Sequence, residues 1–88
     1  MAKAIHSARH KLLVELLIKH RQEAGLTQAQ VAQLLGQQQS FVARLQSGER
    51  RIDVVELFEL GHAIGFDPID LVKKLRKVGG YKLRTEQG

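Results

Sequence analysis

The chain has 88 residues, of which 43% are apolar, a formal net charge of +5 and no cysteine. This length allows one domain with a modest core, the apolar content argues against a disordered chain, and the lack of cysteine excludes disulfides and thiolate chemistry. No apolar run approaches membrane-spanning length and no secretory signal peptide precedes the first helix, so we expect a cytoplasmic protein whose basic charge favours an acidic partner, nucleic acid first.

The first predicted helix follows a short flexible arm, residues 1–6. Ser7 can cap its start and Gly25 can end it. Apolar positions three and four residues apart predict its buried stripe, which consists of Leu13, Leu16, Leu17, His20 and Ala24.

Three histidines on or near this helix raise the question of a metal site. His20 lies in the apolar stripe, so we expect it to be partly buried. His6 and His10 are four residues apart, a spacing that two metal ligands on one helix face would have. No further ligand accompanies them, so we expect no metal site and a solvated polar face.

Two short helices joined by a tight turn are predicted between residues 26 and 48. Thr27 caps the first helix, Gln30 closes a capping box three residues later, and Gly36 ends the helix. On the second helix, Val42 and Leu45 lie on the inward face and Gly48 ends the helix. Helix, short glycine turn, helix is the layout of a DNA-binding motif.

Similar start signals recur twice downstream. Asp53 starts a fourth helix that runs to Gly65, and Asp67, followed by proline, starts a fifth that continues to about residue 78. The inward positions predicted on the fourth helix are Val54, Leu57, Leu60, Gly61 and Ile64. Two glycines then break the pattern, so residues 79–88 form a basic tail, either disordered or containing a short strand.

The stretch AGLTQAQVAQLLG, followed by QSFVARLQSGERR, resembles the Cro/lambda-repressor family, also called the XRE family. The resemblance covers roughly residues 13–72, and its matching residues are Gly25, Leu26, Thr27, Gln28, Val31, Ala32, Leu35, Gly36, Gln39, Ser40, Val42, Arg44, Leu45 and Gly48. It implies an all-α, five-helix lambda-repressor-like DNA-binding domain over residues 7–78, in which helices two and three form the helix-turn-helix. Double-stranded DNA is the implied partner, and no cofactor is expected.

Side chains on the outward, N-terminal part of the third helix are expected to read bases in the major groove. They are Gln38, Gln39, Ser40, Phe41, Ala43 and Arg44. Glutamine can pair with adenine through two hydrogen bonds, and arginine can do so with guanine. Phe41 is open to two interpretations: it touches a thymine methyl group, or it folds back on the first helix as part of the core.

Phosphates are expected at Gln28, where the free backbone N–H groups of a helix start favour an anion, and at Arg50 and Arg51 after the third helix. The resemblance implies a further phosphate contact from Arg21, which an acid at the end of helix three commonly holds in relatives. Gln46 stands at that position here. The ion pair is therefore missing, and we expect Arg21 to be less fixed.

Four apolar residues on helices four and five exceed what one small core needs: Val55, Phe58, Ile69 and Val72. We predict that they form a homodimer interface, since helix-turn-helix proteins commonly bind two-fold sites. They would alternatively bind a different protein, such as a toxin, with or without DNA binding. Residues 53–72 carry five acids and no Lys or Arg, so this segment is poorly suited to touching phosphate.

No catalytic constellation stands out. Ser40 and Ser47 have no histidine near them in sequence, and Asp67 and Asp70 fall in the first turn of a helix, where acids are expected for capping. The sequence therefore predicts a non-enzymatic transcriptional regulator, acting as a repressor that occludes a pseudo-palindromic operator. Phage-type repressor, antitoxin and restriction–modification controller remain open as biological settings.

Overall fold

The computed structural model describes residues 7–78, and within this range the chain folds into five α-helices without a strand. In chain order they are α1 (Ala8–Glu23), α2 (Gln28–Leu35), α3 (Gln39–Ser47), α4 (Val54–Ile64) and α5 (Pro68–Arg76). The predicted all-α, five-helix fold is confirmed. The predicted arm, residues 1–6, and the predicted tail, residues 79–88, lie outside the described residues.

Local capping chemistry sets where four of these helices begin. The capping side chains are those predicted: Ser7, Thr27, Asp53 and Asp67. At α2, Thr27 Oγ1 accepts from the Gln30 backbone N–H at 3.1 Å, and Gln30 Oε1 accepts from the Thr27 N–H at 2.8 Å. Such bonds satisfy N–H groups that have no partner inside the helix, so short-range sequence suffices to fix the starts.

The core lies between the five helices, each of which contributes buried apolar side chains. Its most completely buried large side chains are Leu17, Leu45, Leu71, Val31 and Val42. The α3 helix packs against both α1 and α2, and α5 packs against α1. Full burial of one such aliphatic side chain stabilises a fold by roughly 1.5–3 kcal/mol. Val42 and Leu45 therefore hold α3 firmly on the domain, with its opposite side facing solvent.

Two positions predicted to face inward are in fact exposed. Val54 is 70% exposed, and Ala24 lies beyond the last residue of α1. Helical side chains lean towards the helix N-terminus. Val54 is the first residue of α4, so its side chain leans past the end of the helix instead of over the core.

The corner between α4 and α5 is closely packed around Gly61. A Cβ atom on Gly61 would lie 2.8 Å from the Phe66 carbonyl oxygen, closer than real contacts allow. Phe66 is buried there and stacks on His20, with ring centroids 4.7 Å apart. His20 is half-buried as predicted, and this contact joins the end of α1 to the α4–α5 corner.

Candidate nucleic-acid interface

The outer surface of α3 presents most of the residues predicted to read bases. Gln38, Gln39, Ser40 and Arg44 are exposed, whereas Ala43 is half-buried. The alternation with buried Val42 and Leu45 places these polar side chains on the solvent side of α3.

Backbone hydrogen bonds fix the turn that leads into α3, and the side chain of the N-cap residue is not used for capping. Gly36 adopts a left-handed conformation with φ of 69°, and the Gln37 N–H donates to the Ala32 carbonyl at 2.9 Å. Gln38 is the N-cap of α3 but makes no side-chain capping hydrogen bond. Its amide therefore remains available at the helix entrance.

Arg21 is held in a defined position, contrary to the expectation that losing an acidic partner would leave it less fixed. Arg21 Nε donates to Gln46 Oε1 at 3.0 Å, and Arg21 Nη1 donates to the Leu26 carbonyl at 2.8 Å. Gln46 is buried, and the same oxygen accepts from Gln28 Nε2 at 3.3 Å. An amide oxygen thus accepts the hydrogen bonds that a carboxylate would accept.

This Arg21–Gln28–Gln46 cluster ties together α1, α2 and the end of α3. It brings together two of the residues predicted to meet phosphate, Arg21 and Gln28. Because Gln46 is neutral, it orients the Arg21 guanidinium without cancelling its charge. Sequence reasoning missed this positioning role of Gln46, although the isosteric replacement of an acid by its amide was the signal.

Arg50 is engaged by other residues of the same chain at the protein surface. Its Nη1 and Nη2 atoms donate to Glu56 Oε1 and Oε2 at 2.9 and 2.7 Å, and the guanidinium lies 4.8 Å from the centroid of the Phe41 ring. The hydrogen bonds from Arg50 lower the pKa of Glu56, against the opposing effect of partial burial. They likewise raise the pKa of Arg50.

The two arginines predicted to contact phosphate after α3 therefore differ in how available they are. Both terminal nitrogens of Arg50 are occupied by a carboxylate that neutralises its charge, whereas the neighbouring Arg51 is exposed. A surface cation that is already paired gains less from a phosphate than an unpaired one. Arg51 is the better candidate of the two.

Phe41 is half-buried and packs against the core cluster. It borders a cavity of about 50 Å³ together with Leu35 and Leu60. These neighbours belong to α2 and α4. With Arg50 over one face of the ring, Phe41 serves first as packing.

All four residues predicted for a dimer interface are exposed: Val55 (66%), Phe58 (49%), Ile69 (50%) and Val72 (47%). They do not all border one groove. Phe58 lines a groove of about 350 Å³, called here the α4 groove, with Leu34, Leu35, Glu59, His62 and Ala63. Ile69 and Val72 line another of about 600 Å³, called here the α5 groove, with Arg9, Lys73, Leu75 and Arg76. Leu34 is an exposed apolar residue that the sequence reasoning missed.

His10 differs from its expected solvated state. It is buried, and its Nε2 atom has no hydrogen-bond partner among the described residues. The reason is spacing, because His10 shares the inner side of α1 with buried Leu13 and Leu17. Within residues 7–78, no three His, Cys, Asp or Glu side chains lie close enough to hold a metal ion, and His6 lies outside this range.

No helix between residues 7 and 78 is both long and apolar enough to cross a membrane.

Comparisons with known proteins agree on one family. A family model described as helix-turn-helix matches residues 17–71. The HTH-type transcriptional regulator y4dJ of Sinorhizobium fredii is 36% identical over 62 residues, which cover 70% of this chain and 80% of that protein. The structure of an XRE-family like protein from Pseudomonas syringae pv. tomato DC3000 superposes with a TM-score of 0.78 and 43% identity, covering 85% of this chain and 92% of the other. The clp gene regulator ClgR from C. glutamicum shares the fold, with a TM-score of 0.72 at 17% identity, over 88% of this chain and all of that one.

Proposed function

The chain belongs to the XRE family of helix-turn-helix transcriptional regulators, and from that membership we propose that it represses transcription by binding, as a homodimer, a pseudo-palindromic site on double-stranded DNA. The observation that carries the proposal is the exposed polar surface of α3, whose opposite face is anchored in the core. We propose no catalytic activity, and we place the protein in the cytoplasm on DNA.

Base reading is assigned to Gln38, Gln39, Ser40 and Arg44, with Ala43 close enough to the same surface to contact a thymine methyl group. Arg44 is the strongest single candidate because arginine recognises guanine through two hydrogen bonds in fixed geometry. Phe41 contributes indirectly, by packing beneath Arg50 and supporting α3.

Phosphate binding is assigned to Arg21, Gln28 and Arg51. The shared bond to Gln46 presents Arg21 and Gln28 together at the start of α2, where backbone N–H groups also favour an anion. Arg51 follows the C-terminal end of α3 and adds a further contact there. Such contacts position α3 on the duplex without carrying sequence information.

The homodimer is supported by the exposed apolar side chains on α4 and α5. A two-fold partner would place two α3 helices about 34–36 Å apart, one turn of DNA, on the same face of the duplex. Repression would follow by occlusion, because a dimer spanning two adjacent half-sites covers DNA that polymerase needs. A different protein, such as a toxin, would compete for the same apolar surface.

Selection of bound duplexes from a random library tests the proposal. Wild-type protein should enrich a two-fold symmetric sequence whose half-sites are about 10 bp apart. Lys19→Ala, which removes an exposed cation of α1 outside the helix-turn-helix, is the matched control and should enrich the same sequence. Binding without any enriched sequence, or no binding in low salt, would contradict sequence-specific recognition.

A further inference from the structure

The α4 groove combines exposed apolar side chains with one acid and one histidine. Its lining residues are Leu34, Leu35, Phe58, Glu59, His62 and Ala63. Two of them protrude strongly, since Leu34 of α2 is 59% exposed and Phe58 of α4 is 49% exposed. An exposed apolar surface bordered by polar groups is typical of a contact with another protein. Because the lining contains a carboxylate and no lysine or arginine, a protein suits this groove better than DNA does.

The α4 groove lies next to the helix that is proposed to read bases. Leu35 and Glu59 line this groove and also the cavity of about 50 Å³ that Phe41 of α3 borders. None of the residues proposed to read bases lines the groove itself. A partner on the groove would therefore lie beside α3 and leave its polar face open, as a second copy on the same duplex must.

The four α4 residues of the groove form two pairs when two copies of α4 run antiparallel. Phe58 and His62 are four positions apart, as are Glu59 and Ala63, and all four line one groove. A two-fold axis perpendicular to α4 brings level those positions that share a midpoint along the helix. Phe58 and Ala63 have the same midpoint as Glu59 and His62. A single register therefore brings both pairs together.

Both pairs are favourable in size or charge. The large Phe58 ring meets the small side chain of Ala63, which is half-buried between its neighbours. A ring N–H of His62 can donate to the Glu59 carboxylate. An axis that passed at Glu59 would instead set two carboxylates against each other, which disfavours that register.

We propose that the homodimer forms by antiparallel packing of α4 on the partner's α4, with Phe58 against the partner's Ala63 and Glu59 bonded to the partner's His62. This inference rests on the proposed homodimer and assigns its interface to the α4 groove. Leu34 and Leu35 flank the contact from α2. The two-fold axis forms each contact twice and closes the assembly at two copies. The α5 groove shares no lining residue with this contact and lies outside it.

Charge exchange at Glu59 and His62 tests the register. Glu59→Lys removes the carboxylate that His62 bonds, and His62→Glu sets two acids against each other, in both cases at two symmetric contacts. Each variant alone should therefore raise the dimer dissociation constant by about tenfold. A chain carrying both substitutions, or an equimolar mixture of the two single variants, should return to wild-type affinity. Sedimentation without DNA measures this, and because both positions are exposed the variants should keep the helical circular dichroism of the wild type.

Size exchange at Phe58 and Ala63 tests the same register through packing. Phe58→Ala leaves a gap opposite Ala63, and Ala63→Phe sets two phenylalanines in the space of one, so each variant alone should weaken the dimer. Mixing the two variants restores one large and one small side chain at each contact and should give a heterodimer tighter than either homodimer. If Ala63→Phe loses the helical circular dichroism, the charge exchange decides alone.

Matched controls and contrary outcomes separate this inference from the proposed function. Glu23→Lys and Gln22→Glu make the same charge changes at exposed positions of α1 and should leave dimerisation unchanged, as should Val72→Lys on the α5 groove. A wild-type dimer that neither Glu59→Lys nor His62→Glu weakens would overturn the α4 pairing and leave the homodimer standing, as would a mixture no tighter than the single variants. A monomeric wild type would overturn both dimer proposals, while DNA binding to a single half-site would still be measurable.

Discussion

The α3 surface and the α4–α5 surface are both exposed, but they are built from different chemistry. On α3 the exposed residues are glutamines, a serine and an arginine, backed by the Arg21–Gln28–Gln46 cluster. On α4 and α5 they are valine, phenylalanine and isoleucine, bordered by one acid on the α4 groove and by cations on the α5 groove. Polar side chains with many donors suit the edges of bases and phosphates, whereas exposed apolar side chains suit another protein surface.

The two surfaces also differ in how firmly they are held. Beside α3, hydrogen bonds to the buried Gln46 amide and to the Leu26 carbonyl fix Arg21, and the same amide accepts from Gln28. The large apolar side chains of the other surface are about half exposed or more. We infer that Arg21 is positioned before DNA binds, while the apolar side chains of α4 and α5 leave solvent when a partner covers them. The following predictions test that division, starting with the largest expected effect.

Phe58→Glu should disrupt the α4–α5 surface and leave the α3 surface unchanged. A charge at the centre of the proposed interface should give a monomer, and losing the second half-site should weaken operator binding by roughly 100-fold or more. The α3 surface is untouched, so binding to an isolated half-site should be unchanged. Sedimentation and binding titrations on whole and half operators measure this, with Lys19→Glu as the control that adds an acid elsewhere. A dimeric Phe58→Glu protein would be contrary to the division.

Arg44→Ala should weaken binding to the selected site by roughly 1–3 kcal/mol and relax the preference at one base pair, because it removes a two-bond contact with guanine. The dimer should be intact. Binding selection on wild type and variant gives the comparison, with Lys19→Ala as the control. If the preference at every position is unchanged, Arg44 does not read bases.

Arg51→Ala and Arg50→Ala should behave differently although the residues are adjacent. Arg51 is exposed, so its loss should weaken all duplexes alike and reduce the slope of log K against log salt by about 0.9. Arg50 is paired with Glu56, so its loss should lower thermal stability and leave the salt slope nearly unchanged. Salt titrations and thermal melts of both variants are needed. Equal changes in slope would show that Arg50 leaves Glu56 for phosphate.

Gln46→Glu should replace the neutral amide that holds Arg21 with a charged carboxylate. The carboxylate would strengthen the bond from Arg21 and raise the melting temperature slightly. It would also cancel the charge of Arg21, so the salt slope should fall by up to about 0.9. Gln33→Glu, the same change at an exposed position of α2, is the control. A salt slope equal to that of wild type would indicate that Arg21 does not meet phosphate.

The ion pair of Arg50 with Glu56 should give a small acid-dependent loss of stability. Bonding to Arg50 lowers the pKa of Glu56 in the folded protein relative to its ordinary value of 4.5. This contribution is therefore complete above pH 4.5 and is lost as the pH falls through the lower, folded pKa. The expected size is about 1 kcal/mol or less, since the pair is partly exposed. Chemical denaturation between pH 3 and 6 should show that the free energy of unfolding depends differently on pH in wild type and in Glu56→Gln. If the two plots of free energy against pH are parallel, the pair does not stabilise the fold.

Much of the local structure was readable in the sequence. The caps at Thr27, Asp53 and Asp67 appear where predicted, because each depends on residues within three positions along the chain. The inward placement of Val42 and Leu45 followed from helical spacing alone. We predicted the exposure of Phe58 and Val72 because helices four and five carry more apolar residues than one small core needs.

Contacts between distant segments were decided by the tertiary structure. The bond from Arg21 to Gln46 joins residues 25 positions apart, and the packing of α1 against α3 brings the two side chains together. The capture of Arg50 by Glu56 depends on how the chain after α3 turns onto α4, and it alters which arginine is left for phosphate. The burial of His10 and the division of the exposed apolar residues between two grooves were likewise decided by the packing of the helices. Helical periodicity and capping depend on neighbours in sequence, whereas the partner of a long polar side chain depends on which helices the core brings together.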